Sequence, residues 1–85
     1  MAAPDVCSEF HAKQDEEVNF KNSTGVTCQI TGGSQDWPFT DGPPLSVPVG
    51  GCKTKIKSKA DLPDGTYVYS VDCCSTDSQK SVTVP

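Results

Sequence analysis

Five cysteines in a chain of 85 residues constrain the fold of this protein more than any other feature of its sequence. A chain of this length buries only about 60–65% of the surface that its unfolded form exposes. Just 34% of the residues are hydrophobic, and small domains with so thin a core are usually held together by disulfides or a metal. Cysteine-rich small domains are typical of oxidising compartments. We therefore expect one disulfide-stabilised domain over residues 1–85, secreted or periplasmic.

The N-terminus and the charge agree with that compartment and narrow the partners. Residues 1–5 (MAAPD) resemble an initiator placed before a mature chain whose signal peptide has been removed, because cleavage sites favour small residues. No apolar run approaches the ~18 residues of a membrane span. The net charge is −4 and the sequence has no Arg. Without the side chain that reads phosphate and guanine through two hydrogen bonds, nucleic-acid binding is not expected.

Short segments in which polar and apolar residues alternate predict strands with one buried face. Gly and Pro exclude a helix from 32–51, a long irregular stretch of the kind that often carries function. The predicted segments are 6–12, 17–21, 26–31, 45–49, 52–59, 66–72 and 80–84. Together they predict an all-β fold, a small Greek-key β-sandwich of about six to eight strands.

The order of these segments resembles the cupredoxin pattern of plastocyanin-type proteins across residues 17–84. The similarity lies in VNFKN at 18–22, VTCQI at 26–30, VPVGG at 47–51, GTYVYSV at 65–71 and SVTV at 81–84. The resemblance implies a cupredoxin-like sandwich, and an immunoglobulin-like sandwich is the alternative. It does not imply a blue-copper centre, which needs two His, one Cys and a weak axial ligand. Val71 and Thr24 fall where the family has its copper Cys and first His, so no cofactor is expected.

The cysteines are expected to form two disulfides and leave one thiol. About fifteen such arrangements exist, since each choice of unpaired cysteine leaves three pairings of the other four. Residues at equal distances before and after a turn lie side by side when the chain folds back on itself. By this reasoning Cys7 lies near Cys28, and Cys52 lies near Cys73 or Cys74. We expect a Cys7–Cys28 bridge and a second bridge from Cys52 to Cys73 or to Cys74. The remaining thiol is expected to be buried or capped by a partner chain, and a dimer linked through it is an alternative.

The leftover thiol also suggests an alternative function. Cys73 and Cys74, with or without His11, could bind a soft metal ion such as Cu(I) or Zn²⁺, or act as a redox site. No Cys-x-x-Cys spacing supports a zinc or thioredoxin-like site. A structural role for the cysteines is therefore the preferred interpretation.

Two other sequence features are candidate partner-binding sites. Four lysines alternate along the 52–59 segment and project from one face, about 6.8 Å apart. They are Lys53, Lys55, Lys57 and Lys59. This row suits an anionic partner, or it blocks edge-to-edge aggregation of the sheet. Trp37 and Phe39 in the long loop form either a contact surface or a plug on the end of the sandwich.

No catalytic motif is present. The chain lacks Gly-x-Ser-x-Gly, and the acidic run at 15–17 resembles a charged turn rather than an acid/base pair in a cleft. Residues 22–24 (Asn-Ser-Thr) match an N-glycosylation site, which matters only in a eukaryotic secreted protein. The sequence favours a non-catalytic binding or structural module whose partner is a protein or an anionic surface.

Overall fold

A computed structural model of the chain describes residues 1–32, 36–75 and 77–85. That part of the chain is all-β, as predicted, with seven strands in two sheets. The strands are β1 (Phe10–His11), β2 (Glu17–Phe20), β3 (Cys28–Gly32), β4 (Leu45–Val47), β5 (Cys52–Lys55), β6 (Gly65–Val71) and β7 (Gln79–Val84). Among the described residues, no helix is long and apolar enough to cross a membrane.

The larger sheet has the strand order β1-β7-β6-β3-β4. Its centre is the β6–β7 hairpin, in which Gly65 faces Val84 and Ser70 faces Gln79. β3 runs antiparallel to β6 with Ile30 opposite Val71, and β1 adds to β7 as a short parallel edge. Period-two alternation places every second residue of β6 in the core.

The smaller sheet pairs β2 with β5, and backbone segments cover both of its outer edges. The N-terminal segment 2–6 runs parallel to β2, and the Lys21 amide donates to the Pro4 carbonyl at 2.9 Å. On the other side the Thr40 amide donates to the Lys55 carbonyl at 2.9 Å. β5 is therefore not a bare edge, which weakens the interpretation of its lysines as protection of an edge.

The core fills the space between the sheets, and aromatic rings occupy its centre. Phe39 is completely buried, with its ring centroid 5.4 Å from that of Phe20 and 5.5 Å from that of Tyr69. Trp37 is half-buried, and its ring packs edge-on against Phe39 at 5.3 Å. The loop aromatic pair therefore plugs the sandwich, and Phe39 is not available as a contact for a partner.

The predicted strands at 26–31 and 52–59 differ from the structure at their ends. β3 begins at Cys28 because the buried side chain of Asn22 shapes the preceding turn: its Nδ2 donates to the Val26 carbonyl at 2.8 Å and the Val47 carbonyl at 2.9 Å. A glycan on Asn22 would break these bonds, so the folded domain does not present this site. β5 ends at Lys55, the last residue in register with β2.

Candidate functional site

The two disulfides join Cys7 to Cys74 and Cys28 to Cys73, so the predicted pairings are wrong. The error comes from the assumed neighbours. The expected partner of Cys52 lay across the turn before β6, but β5 pairs with β2 in the other sheet. Cys28 instead lies two residues before Ile30, and Cys73 two residues after Val71, so the Ile30–Val71 register brings the two cysteines face to face.

The Cys7–Cys74 bridge fastens the N-terminal segment to the β6–β7 connection, across a sequence separation of 67 residues. The preceding residue, Val6, is completely buried and donates its amide to the Lys21 carbonyl at 2.8 Å. The Cys7 amide donates to the Asp5 carboxylate at 3.0 Å. The N-terminal segment is thus held by the core and by β2 as well as by the disulfide.

Adjacent cysteines in the β6–β7 connection bring the two disulfides together. The sulfur atoms of Cys7, Cys73 and Cys74 lie within 4.8 Å of one another, and all three residues are half-buried. His11 is exposed on β1, opposite Thr83. Thr83 is four residues along β7 from Gln79, which is the end of the hairpin next to the cysteines. At the rise of a strand, this places His11 about 13 Å from that end. The structure therefore does not bring His11 to Cys73 and Cys74.

Cys52 is the cysteine left unpaired, at the start of β5 opposite Phe20. It is half-buried, and this burial raises the pKa of its thiol, with a further contribution from the carboxylate of Asp41. The nucleophile in thiol chemistry is the thiolate. At neutral pH Cys52 is therefore a poorer nucleophile than an ordinary cysteine.

We expect the native protein to react with iodoacetamide at one thiol, Cys52, and more slowly than the same thiol after unfolding in urea. The pH midpoint of alkylation should lie higher in the native protein, because its thiolate forms only above the raised pKa. Rates measured between pH 7 and 10, on the native and the unfolded protein, test this. A native midpoint equal to the unfolded one would mean that burial does not control the thiol.

The exposed face of the smaller sheet carries the lysines that the sequence singled out. Lys53 and Lys55 project outward from β5, opposite Asn19 and Glu17 of β2. One residue after the end of β2, and two after Asn19, Lys21 is exposed on the same face. We name this surface the lysine face: Lys21, Lys53 and Lys55. Among residues 1–32, 36–75 and 77–85, the one ion pair joins the Met1 amino group to Glu16, so none of these three lysines is paired with a carboxylate.

The predicted row of four lysines is shorter in the structure, because the chain leaves the sheet after Lys55. Lys57 is half-buried, with its amide donating to the Pro38 carbonyl at 2.9 Å, and Lys59 lies in the following turn. Lys21, which the sequence analysis missed, takes their place. It alternates in phase with the polar residues of β2, but that signal becomes useful only once the pairing of β2 with β5 is known.

A shallow groove of about 250 Å³ adjoins the lysine face. It is lined by Glu17, Thr40, Asp41, Lys53, Thr54 and Lys55. Asp41 accepts a hydrogen bond from the Thr54 hydroxyl at 2.8 Å, and its carbonyl accepts one from Trp37 Nε1 at 2.7 Å. The aromatic plug therefore fixes one wall of the groove.

No family model, curated protein or solved structure matches this chain. The resemblance to cupredoxins stays a prediction from the sequence. The two disulfides indicate an oxidising, extracellular-type environment.

Proposed function

We propose that this domain is a non-catalytic, secreted or periplasmic binding module that uses the lysine face to dock an acidic protein surface. The observation that carries this proposal is the set of exposed lysines on one sheet face, without a carboxylate in ion-pair range among the described residues. Ammonium groups displayed on a rigid sheet raise the local concentration of an anionic partner. The disulfides stabilise the domain that carries this sheet, although its core is thin.

The groups around the lysines favour a protein over a uniform polyanion. Asn19 and Thr40 offer neutral hydrogen-bonding groups beside the ammonium groups, while Glu17 and Asp41 add negative charge to the same area. A surface of mixed charge complements another protein surface better than it complements a phosphate backbone, because like charges brought together are costly. The net charge of −4 and the absence of Arg also argue against nucleic acid.

The aromatic residues of the long loop are less available to a partner than the lysine face is. Phe39 lies in the core. Trp37 packs its ring against Phe39 and donates its Nε1 hydrogen to the Asp41 carbonyl, so part of its side chain is already engaged within the domain. Trp37 is half-buried, and Asp41 lines the groove. Trp37 would therefore contribute at the border of the lysine face rather than as a separate site.

The test compares charge reversals of the same kind at different places. Lys53→Glu and Lys55→Glu should each weaken binding to an immobilised acidic peptide, in which glutamates alternate with neutral polar residues, about three- to tenfold, because an exposed ion pair is worth up to about 1 kcal/mol and reversal adds repulsion. Lys13→Glu, which changes the net charge equally on an exposed residue outside the lysine face, should change binding much less. Binding should also weaken as salt is raised.

Heparin, anionic lipid vesicles and duplex DNA serve as competing probes in the same assay. Preference for the acidic polypeptide supports the proposal. Equal loss in the Lys13→Glu and Lys55→Glu variants would show that only net charge matters. Absence of binding to all four probes at low salt, or a preference for vesicles, heparin or DNA, would overturn the acidic-protein assignment.

A further inference from the structure

Four cysteines from three separate parts of the chain meet at one end of the larger sheet. Cys7 belongs to the N-terminal segment, Cys28 starts β3, and Cys73 and Cys74 follow β6. We propose that reduction of the two disulfides converts this cluster into a binding site for one soft or borderline metal ion, Zn²⁺, Cd²⁺ or Cu(I). Cys7, Cys73 and Cys74 are the core ligands, and Cys28, bonded to Cys73 in the oxidised protein, is the fourth.

The spacing of the sulfur atoms fits such a site. With zinc–sulfur bonds of about 2.3 Å, two thiolates on one tetrahedral ion lie about 3.8 Å apart. The sulfurs of Cys7, Cys73 and Cys74 already lie within 4.8 Å of one another. Among these three sulfurs, the bonded pair needs to separate, and the others need to approach, by less than about 2 Å. Side-chain rotation covers such shifts without moving the strands.

Contacts other than the disulfides hold the ligands in place. Val6 anchors Cys7 through the core and through its hydrogen bond to Lys21. Cys28 lies in the ladder between β3 and β4, opposite Val47. The connection that carries Cys73 and Cys74 is closed by the Val71 amide, which donates to the Ser78 carbonyl at 2.7 Å. The cluster is thus assembled by the fold as well as by its covalent bonds.

The chemistry of the ligand set decides which ions would bind. All four candidate ligands are sulfur, which selects zinc, cadmium or cuprous ions over the hard cations magnesium and calcium. Cys52 lies in the other sheet. The three ligand atoms within 4.8 Å of one another belong to Cys7, Cys73 and Cys74, and His11 is not among them. Cys28 joins them through its bond to Cys73. This site therefore differs from the set of Cys73, Cys74 and His11 that the sequence suggested.

Loading the site requires a dithiol reductant. Two dithiol molecules transfer four electrons and four protons to the two disulfides, which yields four protein thiols and two oxidised dithiols. The metal ion then forms one bond to each thiolate that it takes, and each of those thiols releases its proton to solvent. Binding is therefore favoured as pH rises, and the disulfide form holds no thiolate of this cluster to bind with.

The experiment uses the full chain, reduced under argon with a dithiol, freed of the reductant by gel filtration and titrated with Cd²⁺. We expect one Cd²⁺ per chain, thiolate-to-metal absorption in the ultraviolet, and a higher melting temperature than that of the metal-free reduced protein. The oxidised protein should show none of these. If the metal-free reduced chain unfolds, Cd²⁺ should restore its near-ultraviolet circular dichroism.

Serine variants separate the cluster from the remaining thiol. Cys7→Ser and Cys74→Ser should each lower Cd²⁺ affinity at least tenfold, whereas Cys52→Ser should leave stoichiometry and affinity unchanged. The same titration in urea should show weaker binding if the fold assembles the ligands. Equal affinity in urea, loss of binding in Cys52→Ser, or metal bound without the native dichroism would each overturn the proposal. None of these results bears on the binding of acidic peptides by the oxidised protein.

Discussion

Removing the Cys7–Cys74 disulfide, as the double variant Cys7→Ser/Cys74→Ser, is expected to lower the free energy of unfolding by about 3 kcal/mol. The bridge spans 67 residues of sequence, but because Cys28–Cys73 stays closed, the loop that it adds runs only over 7–28 and 73–74, about 22 residues. Both cysteines are half-buried, so the serine hydroxyls keep access to solvent. Small domains have total stabilities of about 5–15 kcal/mol. We therefore expect a fall in melting temperature of roughly 20 °C.

Urea and thermal unfolding of the oxidised proteins measure this effect, with Cys52→Ser as the matched control. The control removes one half-buried thiol that closes no loop, so it should stay within about 1 kcal/mol of the parent. Peptide mapping of the parent under non-reducing conditions should recover Cys7 with Cys74 and Cys28 with Cys73. A double variant as stable as the control, or a different set of linked peptides, would contradict the assignment.

The strands were predictable because alternation is a local signal. Each residue that faces the core is two positions from the next, as in Tyr67, Tyr69 and Val71 of β6. A single short window of sequence is enough to detect this pattern. The start of β3 was less predictable, because the turn before it depends on Asn22, whose side chain bonds to Val47, 25 residues away.

The pairing of strands was not predictable from the same signal. Alternation tells which residues of β5 face the core, but not that β2 lies beside it rather than β6. The disulfide prediction rested on the wrong neighbour and therefore failed. The same missing information hid Lys21, which joins Lys53 and Lys55 only because β2 and β5 are adjacent.

The location of the two loop aromatic residues could not be predicted from the composition of the loop. Trp37 and Phe39 stand in a loop rich in Gly and Pro, where large apolar side chains suggest either a contact surface or a plug. Packing of Phe39 against Phe20 and Tyr69 decides for the plug. That decision depends on the space between two sheets, which no local pattern describes.

A glycine pair in the turn before β5 provides the second large expected effect. Gly51→Ala should cost more than about 4 kcal/mol, a value reached only when a substitution breaks a specific packing arrangement. Gly51 has φ +93°, and a Cβ atom added there would clash with the carbonyl oxygen of Phe20. Phe20 is completely buried in β2. Its backbone cannot move away without separating β2 from β5, and the lysine face would be lost with that pairing.

Substitution of the neighbouring glycine distinguishes the two reasons why Gly51→Ala should lose stability, the steric clash and the positive φ angle. Gly50 has φ +97°, but an added Cβ atom there meets nothing within 4 Å. Gly50→Ala should therefore cost only the strain of a positive φ, about 1–2 kcal/mol. Urea unfolding of the two variants measures the difference directly. Equal losses would show that the backbone angle alone requires glycine at both positions, whereas a much larger loss for Gly51→Ala would show that the close approach of β2 to this turn holds the smaller sheet together.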